Sequence, residues 1–169
     1  MVPALTLIAI LLMMLGELWL SRSNERWMLT HGASASPDPV YGTMRWAYPI
    51  TFVAMAAEGI VMDRPIGTAA VAGVVLLVAA KALKFWAIAS LGRRWTYKVF
   101  VLHGAPLIAS GPYRFVRHPN YVAVIGELLA MALLSSARVT GPVSVIGFGV
   151  LLVRRIVAEE RALGPRARA

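Results

Sequence analysis

The chain contains no cysteine and only three histidines among its 169 residues. The lack of cysteine excludes disulfides, thiolate metal sites, iron–sulfur clusters and a cysteine nucleophile. The histidines His31, His103 and His118 are far apart in the sequence, so we expect no metal site built from several of them.

Charged residues are also scarce, at 15% of the chain, while 59% of the residues are hydrophobic. Soluble domains have about 25% charged and about 45–50% apolar residues. The chain has 17 Lys+Arg against 8 Asp+Glu, and apolar spans joined by basic loops are typical of membrane proteins. We therefore predict one all-α integral membrane domain over residues 1–169. Because the basic residues flank the spans, we expect no binding of nucleic acid.

Five apolar runs predict five transmembrane helices, at about residues 2–20, 44–62, 66–88, 121–134 and 139–153. The first run is interpreted as a span rather than as a cleaved signal peptide, because no basic residue precedes it and no small-x-small cleavage site follows it. Residues 21–43 are predicted to be a loop, and Lys81 and Lys84 to extend to the lipid headgroups. The last two runs are short, which predicts a short hairpin and leaves open whether each crosses fully.

The basic residues also predict an orientation. If the five spans cross alternately, every Lys and Arg except Arg64 and Arg138 lies on one side. By the positive-inside rule that side is cytoplasmic, so the amino terminus is expected outside the cell. Any polar chemistry should then face the cytoplasm.

Two motifs at this cytoplasmic side contain most of the candidate site residues. One covers residues 111–121 before the fourth span, and the other covers residues 154–160 after the fifth. An antiparallel hairpin brings these ends together. A purely structural interpretation stays open, in which Pro119 and Asn120 start a helix, the arginines and tyrosines anchor to headgroups, and Glu159 and Glu160 are a solvated helix end.

The motifs resemble the signature of the isoprenylcysteine carboxyl methyltransferase family at Gly111-Pro112-Tyr113, residues 117–121 and residues 155–163. Residues 17–27 and 91–96 further resemble a branch found beside bacterial type III polyketide synthases, whose members methylate alkylpyrones or alkylresorcinols. The resemblance implies a five-helix membrane fold in the bacterial inner membrane and S-adenosylmethionine as cofactor. The absence of a GxGxxG motif agrees with a site that lacks a Rossmann sheet.

The resemblance also implies roles for individual residues. The cofactor pocket would be lined by Ala105, Leu107, Tyr113, His118, Pro119 and Tyr121, with Glu159 or Glu160 at the cofactor's amino group. Arg117 and Arg155 are catalytic candidates that meet its carboxylate or hold the glutamates. The family usually has a histidine where this chain has Ala105, and His103 is expected to be an interfacial residue without a chemical role.

Three acids lie within the apolar runs, where charge is costly. Glu17, Glu58 and Glu127 are therefore candidates for function, although structural pairing explains them equally well. Glu127 is the candidate catalytic base or orienting group for a hydroxyl acceptor. Trp95 is predicted to close the pocket over the substrate, with headgroup anchoring as the alternative.

The predicted function is methyl transfer to a small lipophilic acceptor that enters from the bilayer, such as the hydroxyl of an alkylpyrone or alkylresorcinol, with a polyketide synthase as a candidate partner. Methylation of isoprenylcysteine is the enzymatic alternative. A non-catalytic protein that binds anionic lipid or a partner, and a membrane reductase that uses a nicotinamide cofactor, are the other hypotheses.

Overall fold

The computed structural model describes residues 1–63, 67–102 and 104–163, so His103 lies outside the described residues. Within these ranges the chain forms five α-helices and a two-stranded sheet. The helices are α1 (Val2–Thr30), α2 (Tyr41–Val61), α3 (Ala69–Leu91), α4 (Pro119–Leu134) and α5 (Thr140–Leu163). The strands are β1 (Ala33–Ala35) and β2 (Phe100–Leu102), and short 3-10 helices cover Gly92–Arg94 and Gly111–Arg114.

Helix α4 packs against all four other helices, most extensively against α3. Its residues Val124, Leu128 and Met131 recur at helical spacing and enter the common core. Glycine permits the closest approach between α3 and α4, since a Cβ at Gly73 would lie 2.9 Å from Leu134. The rest of the core comes from α1, α2, α5 and the α4–α5 connection, through Ile10, Phe52, Met55, Ala56, Ala137, Phe148 and Leu152.

Three of the helices are long and apolar enough to cross a membrane: Val2–Thr30, Ala69–Arg94 and Thr140–Ala162. Helix α4 is apolar but has only 16 residues. The outer faces of these helices expose large apolar side chains, as a lipid-facing surface requires, among them Leu5, Val75, Val78, Ile146 and Val153. The five predicted helices are therefore present, while the number that crosses the membrane stays a prediction.

Two predicted boundaries are wrong. Helix α1 continues through residues 21–30, which we expected to be loop, and α5 continues to Leu163 rather than ending near residue 153. Both extensions are polar, and neither contains the proline or glycine that would end a helix. Helix α1 ends just before Gly32, which has a φ of 80°. The polar ends of the two helices therefore extend beyond the apolar runs.

The two strands connect the polar segments at this end of the molecule. Ala33 pairs with Leu102 and Ala35 with Phe100 in antiparallel register. The pairing joins the α1–α2 connection to the α3–α4 connection. Asn24 adds to it from α1, since its side-chain amide donates to the carbonyl oxygens of Gly92 and Trp95. The polar end is thus a folded layer rather than a set of separate loops.

Glu58, near the end of α2, is a structural residue. Its carboxylate accepts hydrogen bonds from the backbone N–H groups of Arg138, Val139 and Thr140 and from the Thr140 hydroxyl. These groups belong to the first turn of α5 and the residues before it, where a negative charge stabilises a helix. Glu58 therefore joins α2 to α5 at the end opposite the sequence motifs.

Candidate active site

The start of α4 and the end of α5 bring the two sequence motifs together. The Tyr121 hydroxyl donates a 2.6 Å hydrogen bond to Glu159. His118 Nδ1 lies 3.8 Å from Glu159, and its Nε2 lies 3.6 Å from Glu160. Arg117 is 4.0 Å from Glu160. We call this group of five residues the lip.

The local sequence explains how the lip forms. Pro119 occupies the first turn of α4, where its missing N–H costs nothing. His118 stands just before the helix, and its carbonyl oxygen accepts hydrogen bonds from Tyr121 and Val122. The His118 and Tyr121 rings stack with centroids 5.4 Å apart. The helix start therefore presents one aromatic face beside the two carboxylates of α5.

Gly111 positions Tyr113 next to the lip. It adopts a φ of 61°, and a Cβ there would lie 2.0 Å from the Ser90 hydroxyl oxygen at the end of α3. Burial, and to a lesser degree the Glu159 carboxylate, raises the pKa of Tyr113 above its ordinary value. Its hydroxyl therefore remains a neutral hydrogen-bond donor at physiological pH.

Gly111→Ala is expected to lower the free energy of unfolding by about 1–3 kcal/mol, because the added methyl group must displace Ser90 and also strains the backbone. Denaturation in detergent micelles measures the change. Gly147→Ala on α5 is the matched control, since a Cβ there meets nothing within 4 Å. Equal stability of the two variants would contradict the close contact.

Arg155 contacts a different partner from those expected. Its guanidinium lies 2.5 Å from Asp38 in the α1–α2 connection, and both side chains are at least nine-tenths buried. A second nitrogen donates to the carbonyl oxygen of Tyr97. Asp38 in turn accepts hydrogen bonds from the N–H groups of Val40 and Tyr41 at the start of α2. Arg155 therefore anchors the polar layer to α5 and is paired with Asp38 rather than with Glu159 or Glu160, while its predicted contact with the cofactor's carboxylate stays a prediction.

Below the lip lies a cavity of about 360 Å³ between α1, α2, α4 and α5. Its wall is mainly apolar, and two of the residues that line it, Leu15 and Trp46, are also more than half exposed on the outer surface. The cavity thus reaches the apolar exterior between α1 and α2. The polar residues of the wall are Asn120, Tyr121 and Arg155 next to the lip, Tyr48 and Lys84 at a deeper level, and Tyr41, Arg45, Thr96 and Tyr97 from α2 and the α3–α4 connection.

A buried group of four charges lies behind the deeper level. Lys84 is 2.8 Å from Glu17 and 3.1 Å from Glu127, and Lys81 is 3.3 Å from each of the same two carboxylates. The predicted extension of Lys81 and Lys84 to the headgroups is therefore wrong, since Lys84 is only 1% exposed. Two opposite charges on neighbouring helices hold each ammonium inside the bundle.

Two tyrosines complete this charge cluster. The Tyr48 hydroxyl donates to Glu127 at 2.6 Å, and the Tyr97 hydroxyl donates to Glu17 at 2.9 Å. Burial, followed by the Glu17 charge, raises the pKa of Tyr97 above its ordinary value, so it remains a donor. Tyr48 and Lys84 both line the cavity. Glu127 contacts both of these side chains, so Glu127 can orient them toward the cavity.

The other predicted site residues, Trp95, Ala105 and Leu107, do not belong to the lip. Trp95 is 3% exposed and packs against Tyr97, with ring centroids 5.2 Å apart. The backbone N–H of Ala105 donates to Leu102, and Leu107 is about half exposed. The roles predicted for these three residues stay predictions. Among the described residues, no group of three or more His, Asp or Glu side chains is arranged to hold a metal ion.

Comparison with known proteins identifies the family. The family model described as "Isoprenylcysteine carboxyl methyltransferase (ICMT) family" matches residues 73–165, which include α4, α5 and the lip. The chain belongs to this family. Family membership indicates a methyltransferase, and together with the apolar helices it indicates an integral membrane protein.

Two relatives extend the comparison. The chain is 34% identical to "Uncharacterized protein YpbQ" of Bacillus subtilis over 163 residues, which cover 93% of this chain and 94% of the relative. It is also 34% identical to an uncharacterized protein of Haemophilus influenzae over 92 residues, which cover 54% of each chain. No solved structure matches the chain significantly. The relatives therefore support a shared domain over nearly the whole chain and assign no substrate.

Proposed function

We propose that the protein is an S-adenosylmethionine-dependent methyltransferase that methylates an oxygen of a small lipophilic acceptor, such as the hydroxyl of an alkylpyrone or alkylresorcinol. The observation that carries the proposal is the position of Tyr121. Its hydroxyl bonds Glu159 in the lip, and its side chain also lines the cavity that opens to the apolar exterior. A polar cofactor at the lip and an apolar acceptor in the cavity would therefore meet at this residue.

The lip residues fit the chemical groups of the proposed cofactor. Glu159 and Glu160 suit its ammonium group, and the exposed guanidinium of Arg117 suits its carboxylate. The stacked rings of His118 and Tyr121 offer an aromatic face to a cationic sulfonium. When bound, this cofactor supplies a methyl group on a positively charged sulfur.

The chain itself contributes alignment and the exclusion of water. The apolar wall keeps the acceptor dry, and the polar groups next to the lip orient its reacting oxygen. Asn120 is well placed for this, because its side-chain oxygen is buried and receives no hydrogen bond from any described residue. A carboxylate acceptor would need no base, whereas a hydroxyl must give up its proton during the transfer. The Glu159 carboxylate would take this proton through the Tyr121 hydroxyl to which it is bonded.

The proposal places the lip on the cytoplasmic side of a bacterial inner membrane, with all five helices crossing. Exposed aromatic side chains on three helices support a membrane interface near the polar end: Trp19 on α1, Trp46 on α2 and Trp86 on α3. Arg45 lies over the Trp46 ring at 5.4 Å, as expected where charge meets headgroups. A polyketide synthase as supplier of the acceptor is part of the same proposal.

Binding of S-adenosylhomocysteine to the detergent-purified protein tests the cofactor site. His118→Ala and Glu159→Gln are each expected to weaken binding at least about tenfold, since each removes a charged or aromatic contact. Glu25→Gln is the matched control, because Glu25 pairs with Lys98 at the same end of the molecule. The non-catalytic hypothesis would be favoured if the wild type did not bind S-adenosylhomocysteine, or if His118→Ala and Glu159→Gln bound it as tightly as the wild type and the Glu25→Gln control.

Methylation assays with labelled cofactor then identify the acceptor. Membranes are incubated with an alkylpyrone, an alkylresorcinol or a farnesylcysteine analogue, and incorporation of label is measured. We expect methylation of the ring hydroxyls. Methylation of the farnesylcysteine analogue alone would reject the proposed acceptor and support the isoprenylcysteine alternative.

A further inference from the structure

The α3–α4 connection, residues 92–118, is basic and exposes apolar side chains near its end. Its charged residues are all Lys or Arg, with no Asp or Glu among them. Phe115 is 71% exposed, and its neighbour Val116 is also exposed. Arg114 and Arg117, both exposed, stand on either side of this apolar pair. A surface that is both basic and apolar is typical of contact with the headgroups and acyl chains of an anionic bilayer.

Phe115 lies beside the lipid-facing side of α3. Its ring centroid is 6.4 Å from that of Trp86, which is itself half exposed. Trp86 precedes the last residue of α3, Leu91, by five positions, or about 7.5 Å along the helix. Every exposed residue of α3 is apolar, among them Val71, Val75, Val78 and Phe85. Phe115 therefore continues the apolar outer surface of α3 and does not lie beyond the end of that helix.

Arg114 adds a positive charge that no carboxylate of the chain neutralises. Its guanidinium lies 5.0 Å from the centroid of the Phe115 ring. All eight acids of the chain lie in the described residues, and none of them forms an ion pair with Arg114. A guanidinium matches the geometry of a phosphate group and binds it through two hydrogen bonds. The charge therefore fits the phosphate of a lipid whose acyl chains surround Phe115.

We propose that four residues, Trp86, Arg114, Phe115 and Val116, form an anchor that binds anionic phospholipid in the leaflet next to the polar end. Phe115 lies among the acyl chains, and Arg114 binds the phosphate groups. This lipid is distinct from the acceptor, because the anchor lies on the outer surface of α3 whereas the cavity opens between α1 and α2. The anchor also holds the lip ready for the cofactor, a step that rests on the proposed function.

The anchor is joined to the lip by a short stretch of chain. The N–H group of Phe115 donates to the carbonyl oxygen of Pro112, in the 3-10 helix that precedes the lip. This 3-10 helix also packs against Trp86, since a Cβ at Gly111 would lie 3.2 Å from the indole nitrogen. His118 follows Phe115 by only three residues. Lipid that fixes the anchor therefore reduces the freedom that the lip loses when a cofactor binds, which raises the affinity.

A fluorescent label tests whether the anchor enters the bilayer. Because the chain has no cysteine, Phe115→Cys gives a single site for an environment-sensitive fluorophore. The full-length protein is reconstituted in nanodiscs of equal parts phosphatidylcholine and phosphatidylglycerol, with bromine atoms on the acyl chains. Quenching is expected to be at least about threefold stronger than at Leu29→Cys, the matched control, which is exposed on the polar end of α1. Equal quenching overturns the inference and leaves Phe115 free for a protein partner.

Binding of S-adenosylhomocysteine tests the coupling between the anchor and the lip. The wild type is expected to bind it at least about threefold more tightly in the mixed nanodiscs than in phosphatidylcholine alone. The double variant Arg114→Gln/Phe115→Ser should lose this gain and keep the affinity measured in phosphatidylcholine. Arg22→Gln/Leu29→Ser is the matched control, because it replaces an exposed arginine and an exposed leucine of α1, and it should keep the gain.

Thermal unfolding of every variant separates folding from lipid binding. Equal affinity of the wild type in the two kinds of nanodisc, or an undiminished gain in the double variant, overturns the inference. Absence of S-adenosylhomocysteine binding in both kinds of nanodisc instead contradicts the proposed function, and the quenching at Phe115→Cys then still decides whether the anchor binds lipid.

Discussion

Lys84→Met is expected to lower the free energy of unfolding in detergent micelles by about 3–5 kcal/mol, because it leaves two buried carboxylates with only one ammonium. Lys84 is 1% exposed and pairs with both Glu17 and Glu127. The wild-type cluster is stable because each charge has opposite charges within hydrogen-bonding distance, while an excess negative charge would have to remain in a helix bundle. Chemical denaturation followed by circular dichroism measures the loss.

Two further variants show that charge balance is the cause. The double variant Lys84→Met/Glu127→Gln restores one lysine to one glutamate and is expected to recover at least half of the lost stability. Lys98→Met is the matched control, because Lys98 pairs with Glu25 at 2.9 Å but is 45% exposed, so its loss should cost less than about 1 kcal/mol. A Lys84→Met variant as stable as Lys98→Met would contradict a cooperative buried cluster.

The helices and the meeting of the two motifs were predictable from the sequence because both depend on local signals. Long apolar runs indicate helices, and a short connection between the last two makes them antiparallel. The contacts among Tyr121, His118 and Glu159 then follow from the positions of these residues at the helix ends. Helix length was less predictable, since polar residues 21–30 have no apolar pattern and yet continue α1.

Structural pairing of the buried acids was one of the alternatives that the sequence left open, but their partners were missed because the members of the charge cluster come from distant parts of the chain. Lys81 and Lys84 share a face near the end of an apolar run, which is also the pattern of residues that extend to headgroups. Their partners Glu17 and Glu127 lie on α1 and α4. One signal was available: acids and bases that occur together in apolar runs are expected to pair with each other, because isolated charges in lipid are costly.

Asp38 and Asn120 were missed for a different reason. Each has a sufficient local explanation, Asp38 as a turn residue between two prolines and Asn120 as part of a helix start. The structure adds a tertiary environment to each. Asp38 pairs with Arg155 from α5, and Asn120 lines the cavity with a buried amide oxygen. Residue type at a turn thus indicates local structure and carries no information about a partner more than a hundred residues away.

Asp38→Asn is expected to lower the free energy of unfolding by about 3–5 kcal/mol, because it leaves the buried Arg155 guanidinium without a carboxylate. Asparagine keeps a side-chain oxygen that can accept from Val40 and Tyr41, so the substitution removes mainly the charge. The start of α2 and the backbone at Tyr97 should also lose their anchor to α5. Denaturation in micelles gives the stability, and limited proteolysis between α1 and α2 reports the loosened connection.

The double variant Asp38→Asn/Arg155→Gln separates an unpaired charge from a lost contact. It removes both charges and should regain a large part of the stability, whereas a purely steric role for Arg155 predicts a further loss. Asp63→Asn is the matched control, because Asp63 is exposed in the turn after α2 and its change should stay within about 0.5 kcal/mol. Since Tyr97 and Arg155 both line the cavity, Asp38→Asn should also weaken binding of the ring acceptor, even at temperatures where the variant is fully folded.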